Sequence, residues 1–218
     1  MLLLVDLDNT LVDRDRAFRD AVAAFLAEHA LPVGDLAWAL GVDAGGSTSR
    51  PDVAAALTGR YGARVPEAAI RGLVDGGAAR RVVLADAARD ALSAAREQGW
   101  ACVIVTNGRT VQQETKIRRT GLDRLVDGWV VSEAVGAAKP DPEIFRAAAA
   151  LVGASPYEHT WVVGDSPQAD IAGAYAFGAL SVWIANGRAW TEASYRPTHT
   201  APDVAAAIRH VLRSGTQG

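Results

Sequence analysis

Short, almost wholly apolar runs alternate along the chain with longer stretches whose apolar residues recur at helical spacing. The runs Leu2–Asp8, Ala101–Asn107, Gly128–Ser132, Thr160–Asp165 and Leu180–Asn186 are rich in Val, Ile, Leu or Trp. Their length and lack of polar alternation predict strands buried on both faces of a parallel sheet. The helices between them have readable ends. Asp86 caps one that stops at Gly99, and another runs from about Thr110 to Gly121. Asp141-Pro142 supplies a cap and a first-turn proline to a helix closed by Gly153; the next ends at Gly178, and the last begins at Pro202. Strand–helix alternation of this kind predicts a doubly wound α/β fold with a five-stranded parallel sheet.

The rhythm breaks between Asp13 and Val83. Phe18, Val22, Phe25 and Leu26 fall on one face of a helix that stops before Pro32, and further helices are expected to begin at Pro51 and Pro66. No strand pattern interrupts them. The reading is therefore an α/β core made of residues 1–12 and 84–218, with a small helical domain, 13–83, inserted into it. The stretch Gly41–Arg50 (GVDAGGSTSR) reads as a flexible loop.

Composition narrows the classes. The 218 residues carry a net charge of −3, so there is no basic excess to neutralise a nucleic-acid backbone. The longest uncharged stretch, Ile171–Gly187, reads as a helix, a glycine stop and a strand rather than a membrane span. A lone cysteine, Cys102, excludes an intramolecular disulfide and suits a reducing compartment, so a cytoplasmic protein is expected. Cys102 reads as a packed small apolar residue, and His29, His159, His199 and His210 show no ligand spacing.

The chemistry is concentrated at strand ends. Asp6-Leu7-Asp8-Asn9-Thr10 closes the first strand, and alternation in an extended segment puts Asp6 and Asp8 on one face. Asp165 and Asp170 follow a second strand in Gly164-Asp165-Ser166-Pro167-Gln168-Ala169-Asp170. Carboxyl ends of strands are where open α/β sheets bind ligands. Four carboxylates there need a cation, and hard oxygen donors without His or Cys favour Mg²⁺. Asp170 has a second reading, as a cap for the helix beginning near Gln168. Thr106-Asn107-Gly108 offers a hydroxyl and backbone N–H groups suited to a phosphate oxygen, and Lys139 a fixed positive charge. Together these parts make up a phosphoryl-transfer site.

DLDNT at 6–10, TNG at 106–108, KPDP at 139–142 and GDSPQAD at 164–170 resemble, in order, the four motifs of the haloacid dehalogenase-like (HAD) hydrolase superfamily. The resemblance covers about two thirds of the chain and implies a Rossmann-like core, with the insertion matching the superfamily's C1-type helical cap. It implies that Asp6 attacks phosphorus and that Asp8 protonates the leaving oxygen, then activates water. It further implies that Asp6, the backbone carbonyl of Asp8 and Asp165 hold Mg²⁺, with Asp170 ligating directly or through water. Thr106 and the Asn107 N–H bind phosphoryl oxygens, and Lys139 screens charge between nucleophile and phosphate. An aspartate at position 8 resembles the phosphatase pattern, since dehalogenases of the superfamily lack it.

The stretch Thr106–Phe145 is also similar to nucleotide phosphatases and to N-acylneuraminate-9-phosphatase. The shared residues include Gln113, Arg118, Ser132-Glu133 and Lys139-Pro140, which read mostly as frame residues. The implied function is a Mg²⁺-dependent phosphomonoester hydrolase acting on a nucleotide, sugar phosphate or phosphoglycolate. A phosphomutase and a non-catalytic phosphate-binding module are the alternatives. A monomer or weak homodimer, with no nucleic-acid or membrane partner, is expected. The Arg14–Arg19 run reads as a solvated helix start, from which Arg14 or Arg16 reaches substrate; Arg50 and Gly45-Gly46-Ser47 are further candidates for specificity. Only two of the 22 basic residues are lysines. Lys139 has a role in this scheme and Lys116 has none.

Overall fold

The apolar runs form strands that pair in parallel: β1 (Leu2–Val5), β2 (Ala101–Thr106), β3 (Gly128–Val131), β4 (Thr160–Gly164) and β5 (Leu180–Ile184). The structure, a computed structural model, describes residues 1–154 and 159–215. A sixth strand, β6 (His199–Ala201), extends the sheet beyond the five expected, giving the order β3-β2-β1-β4-β5-β6. It pairs with β5 over three residues, His199, Thr200 and Ala201. So short and polar an edge strand leaves no apolar run to read.

The chain divides into two compact units, Met1–Val12 with Leu84–Gly218, and Asp13–Val83. In the first, the helices are α5 (Asp86–Glu97), α6 (Thr110–Thr120), α7 (Ser132–Val135), α8 (Pro142–Leu151), α9 (Ala172–Phe177) and α10 (Val204–Gly215), as labelled after the four helices of the second unit. Leu2, Leu4, Val103, Val105 and Val162 pack with Ile144, Phe145, Ala148 of α8 and Ala174, Phe177 of α9. Alternation sends Leu3, Cys102 and Ile104 to the opposite face, and all three are fully buried. Gly173 sets the approach of α9 to α8, since a Cβ there would lie 2.5 Å from the Phe145 ring. Asp86 is the first residue of α5 rather than its cap, a position that Ala85 takes.

The second unit contains α1 (Arg14–Glu28), α2 (Asp35–Asp43), α3 (Arg50–Tyr61) and α4 (Glu67–Gly76). Asp13 caps α1 and Ser49 caps α3, whose first turn holds Pro51. Two readings are corrected here. The first three residues of the supposed loop, Gly41 to Asp43, belong to α2, and Asp43 ties down the remainder by accepting from Gly46 N at 2.9 Å and Arg50 Nη1 at 3.0 Å. Arg14 is buried rather than solvated, its two terminal nitrogens donating to the two carboxylate oxygens of Asp43, Nη2 at 2.6 Å. Among the described residues no helix is long and apolar enough to cross a membrane.

Cys102 is sealed within β2, and burial, with Asp127 nearby, pushes its thiol up to about 12. An aromatic disulfide reagent at pH 8 should therefore react with the native protein at least ~100-fold more slowly than with the denatured chain. Stoichiometric labelling before unfolding would contradict the packing of β2.

Candidate active site

β1 delivers Asp6. The strand ends at Val5, and Asp6 N donates to Val163 O at 2.9 Å, so Asp6 is still held against β4. The chain then turns instead of continuing extended. Leu11 N and Val12 N both return to Leu7 O at 3.0 Å, and Asn9 adopts φ +59°, a left-handed conformation that asparagine tolerates well. The extended segment expected to align Asp6 with Asp8 is therefore replaced by a turn, and the two carboxylates meet different partners.

Asp6 meets Lys139. The buried Lys139 Nζ donates to Asp6 Oδ1 at 2.5 Å, Asp170 Oδ1 at 2.7 Å and Val105 O at 2.8 Å. Three N–H donors thus find three acceptors. The loop carrying the lysine is fixed by Asn107, whose Nδ2 donates to Lys139 O at 3.0 Å while Lys139 N donates to Asn107 Oδ1 at 2.8 Å. The Thr106-Asn107-Gly108 turn is fixed in its own right. Gly108 N donates to Ser132 Oγ at 3.0 Å, and Thr110 N, at the start of α6, donates to Glu133 Oε2 at 2.8 Å. Ser132 and Glu133, read as frame residues, do frame the site.

Ligand oxygens of Asp6, Asp165 and Asp170 all lie within 4.8 Å of one another. Two like charges at that distance repel by on the order of 3 kcal/mol at an effective dielectric constant near 20. The strain registers in the acids themselves. Burial, with Asp170 and Asp165 nearby, raises Asp6 to about 8 despite the opposing Lys139. Burial, again with Asp170, raises Asp165 to about 6 against the pull of Arg188. Burial alone would lower the Lys139 ammonium, but Asp170 and Asp6 outweigh it and its pKa rises. An all-oxygen donor set of three crowded, buried or half-buried carboxylates fits a hard divalent cation such as Mg²⁺. The cluster has three carboxylates rather than the four expected.

The fourth, Asp8, is held elsewhere. Lys116 Nζ donates to its Oδ1 at 2.8 Å and Oδ2 at 2.6 Å, and Gln113 Nε2 lies 3.1 Å from Oδ2. The same Gln113 nitrogen donates to Thr106 Oγ1 at 2.5 Å. Asp170 joins the cluster and also accepts from Ser166 N at 3.0 Å. It is not the cap of the helix that follows β4: it lies within that helix, and Ser166 is the cap, its hydroxyl accepting from Ala169 N at 3.1 Å. Asp165 is braced by Arg188 Nη2, 2.9 Å from Oδ2 and 2.7 Å from its carbonyl oxygen.

Sequence reasoning missed the places of Lys116 and Arg188 and the side-chain role of Asn107; Gln113, read among the frame residues, is bonded to Asp8, Thr106 and Asn107 O. For Gln113 and Lys116 a signal existed. With Ile117 and Thr120 they form an i, i+3, i+4, i+7 stripe on the buried face of α6, where apolar residues are expected.

Comparison with known proteins gives the family. The model of the haloacid dehalogenase-like hydrolases matches residues 1–178, and the chain belongs to that family. It is 38% identical over 108 residues to phosphoserine phosphatase of Thermus thermophilus, covering 50% of this chain and 43% of that one. It is 39% identical over 93 residues to glyceraldehyde 3-phosphate phosphatase of Methanopyrus kandleri, covering 43% and 40%. The chain thus spans about two fifths of the length of these curated relatives. The crystal structure of YfnB from Bacillus subtilis, described as a HAD-hydrolase bound to magnesium, superposes with a TM-score of 0.81 at 25% identity, covering 96% of this chain and 97% of that one.

Gly164 lets the cluster close, because a Cβ there would lie 2.2 Å from the Asp170 carboxyl group. Gly164→Ala should displace Asp170 and lower stability by about 1–3 kcal/mol through overpacking. A melting temperature equal to wild type would show that Asp170 has room to move.

Proposed function

We propose that the protein is a Mg²⁺-dependent phosphomonoester hydrolase that works through an aspartyl-phosphate formed on Asp6. One observation carries the reading. Asp6 ends β1 inside a three-carboxylate cluster and is bonded to a buried lysine that also holds a second member of that cluster. A surface acid has no use for such an arrangement, whereas a carboxylate that must approach a phosphate dianion does.

In this reading Asp6 Oδ attacks phosphorus as the ester P–O bond breaks, and Asp8 gives a proton to the departing alkoxide. Asp8 then takes a proton from water, which attacks the phosphorus of the acyl phosphate and restores the Asp6 carboxylate. The Thr106 hydroxyl accepts from Gln113 and spends its own hydrogen only on a long 3.5 Å contact with Asn107 O, which a phosphoryl oxygen beside the Asn107 N–H would replace. Lys139 offsets the approach of like charges. Asp6, Asp165, the Asp8 carbonyl oxygen and, directly or through water, Asp170 would hold Mg²⁺, which would further neutralise the phosphoryl charge. The substrate is a small phosphorylated metabolite of the nucleotide, sugar-phosphate or phosphoglycolate type. The helical unit 13–83 is the candidate cap that selects among such esters. A single buried cysteine suits the reducing cytoplasm.

Phosphate release from nucleoside monophosphates, sugar phosphates and phosphoglycolate tests the reading. Release should require Mg²⁺ and fall at least about 10³-fold in Asp6→Asn. Metal-independent release, release untouched by Asp6→Asn, or isomerisation of a sugar phosphate without release would overturn it. Independently, saturating Mg²⁺ should raise the melting temperature by several degrees, and Asp165→Asn should abolish most of that gain. An equal gain in the variant would remove Asp165 from the metal site.

A further inference from the structure

We propose that Lys116, together with Gln113, is a positioning residue that locks Asp8 in its proton-transfer orientation and couples it to the phosphoryl-binding Thr106. The inference rests on the hydrolase reading above and adds to it two residues on α6. Both are buried, at 4% and 2% exposure, on the face of the helix that also carries Ile117 and Thr120. A buried ammonium is costly unless each of its donors is used. Lys116 Nζ is surrounded by three acceptors: Asp8 Oδ1 at 2.8 Å, Asp8 Oδ2 at 2.6 Å and Gln113 Oε1 at 2.7 Å.

Gripping both oxygens fixes the rotation of the Asp8 carboxylate as well as its place. Gln113 carries the restraint onward. Its oxygen is held by Lys116, so its amide nitrogen is turned toward Asp8 Oδ2 (3.1 Å), Thr106 Oγ1 (2.5 Å) and Asn107 O (3.1 Å). One amide therefore links the acid/base to the residues that bind the phosphoryl group. α6 begins two residues beyond the Thr106-Asn107-Gly108 turn, so the helix that carries the clamp grows directly out of the turn it braces. A purely structural pair would not need to select the one carboxylate assigned to proton transfer, nor to share an amide with the phosphate site.

The test compares wild type, Lys116→Met, Lys116→Arg, Asp8→Asn and the Lys116→Met/Asp8→Asn double variant, with Mg²⁺ present. Substrates are an alkyl phosphate monoester accepted by the wild type, and 4-nitrophenyl phosphate, whose leaving group needs little proton assistance. Lys116→Met should lower kcat on the alkyl ester roughly 10- to 100-fold, within the range general acid–base catalysis supplies. KM should change less than about twofold. The loss on 4-nitrophenyl phosphate should be smaller, and Lys116→Arg should recover part of the rate. In the Asp8→Asn background, Lys116→Met should cost little more, because the residue acts through Asp8. Equal losses on both esters, a loss in KM alone, or the full loss repeated in the Asp8→Asn background would overturn the proposal. Circular dichroism and thermal melting check folding. Should Lys116→Met not fold, Lys116→Gln takes its place with the same expected outcomes. A wild type that releases no phosphate overturns the hydrolase reading itself and the proposal with it, a result distinct from failure of the variants.

Discussion

Three carboxylates brought within 4.8 Å of one another at the end of a buried parallel sheet impose the constraint on which the rest of the site depends. Backbone geometry alone would place them there, but their mutual repulsion and loss of hydration oppose it. The structure answers with a buried ammonium bonded to two of them and a guanidinium bracing the third. Two fixed cations against three acids leave the cluster short of neutral. Burial first, and the neighbouring carboxylates second, raise Asp6 and Asp165, and a divalent cation is the natural counterion for the shortfall.

The sheet order explains why such distant residues converge. With β1 between β2 and β4, the chain leaves the strand ends in opposite directions on either side of β1, which creates a crevice at their carboxyl ends. Asp6, Thr106 and Asp165 each sit at or just beyond one of these strands, and Lys139 follows β3 and α7. The four strands buried deepest carry almost no polar side chains of their own. Chemistry is therefore confined to the residues where the ladders stop, and the sheet below serves as a rigid mount.

That confinement is also why so much of the fold and site was legible in the sequence. Strands buried on both faces announce themselves as unbroken apolar runs, and the residues following them are picked out by position. β6 escaped because His-Thr-Ala at a sheet edge buries little. α2 escaped because its N-terminus has Gly34 in place of a capping side chain and its last turn runs into the glycine-rich stretch. The ion pairs escaped for a different reason. Arg14 and Asp43 are 29 residues apart, and Lys116 and Asp8 are 108 apart, so no local spacing predicts either. What the sequence does hold is the anomaly each pair leaves behind: a charged residue where the helical period calls for an apolar one.

The scarcity of lysine has its origin in the same geometry. The planar fork of an arginine suits a single carboxylate, placing one nitrogen on each oxygen, as Arg60 does on Asp35. A fork is poorly shaped for acceptors that converge from several elements on one point. Lys139 bonds oxygens from the end of β1, from β2 and from the turn after β4, and Lys116 bonds Asp8 and Gln113 together. Each site needs a compact charge with donors free to rotate toward whichever oxygens the fold supplies. A chain that otherwise carries arginine keeps its only two lysines at these two points. One faces Asp6, the proposed nucleophile, and the other Asp8, the proposed acid/base, so the pair marks the two carboxylates on which that chemistry would turn.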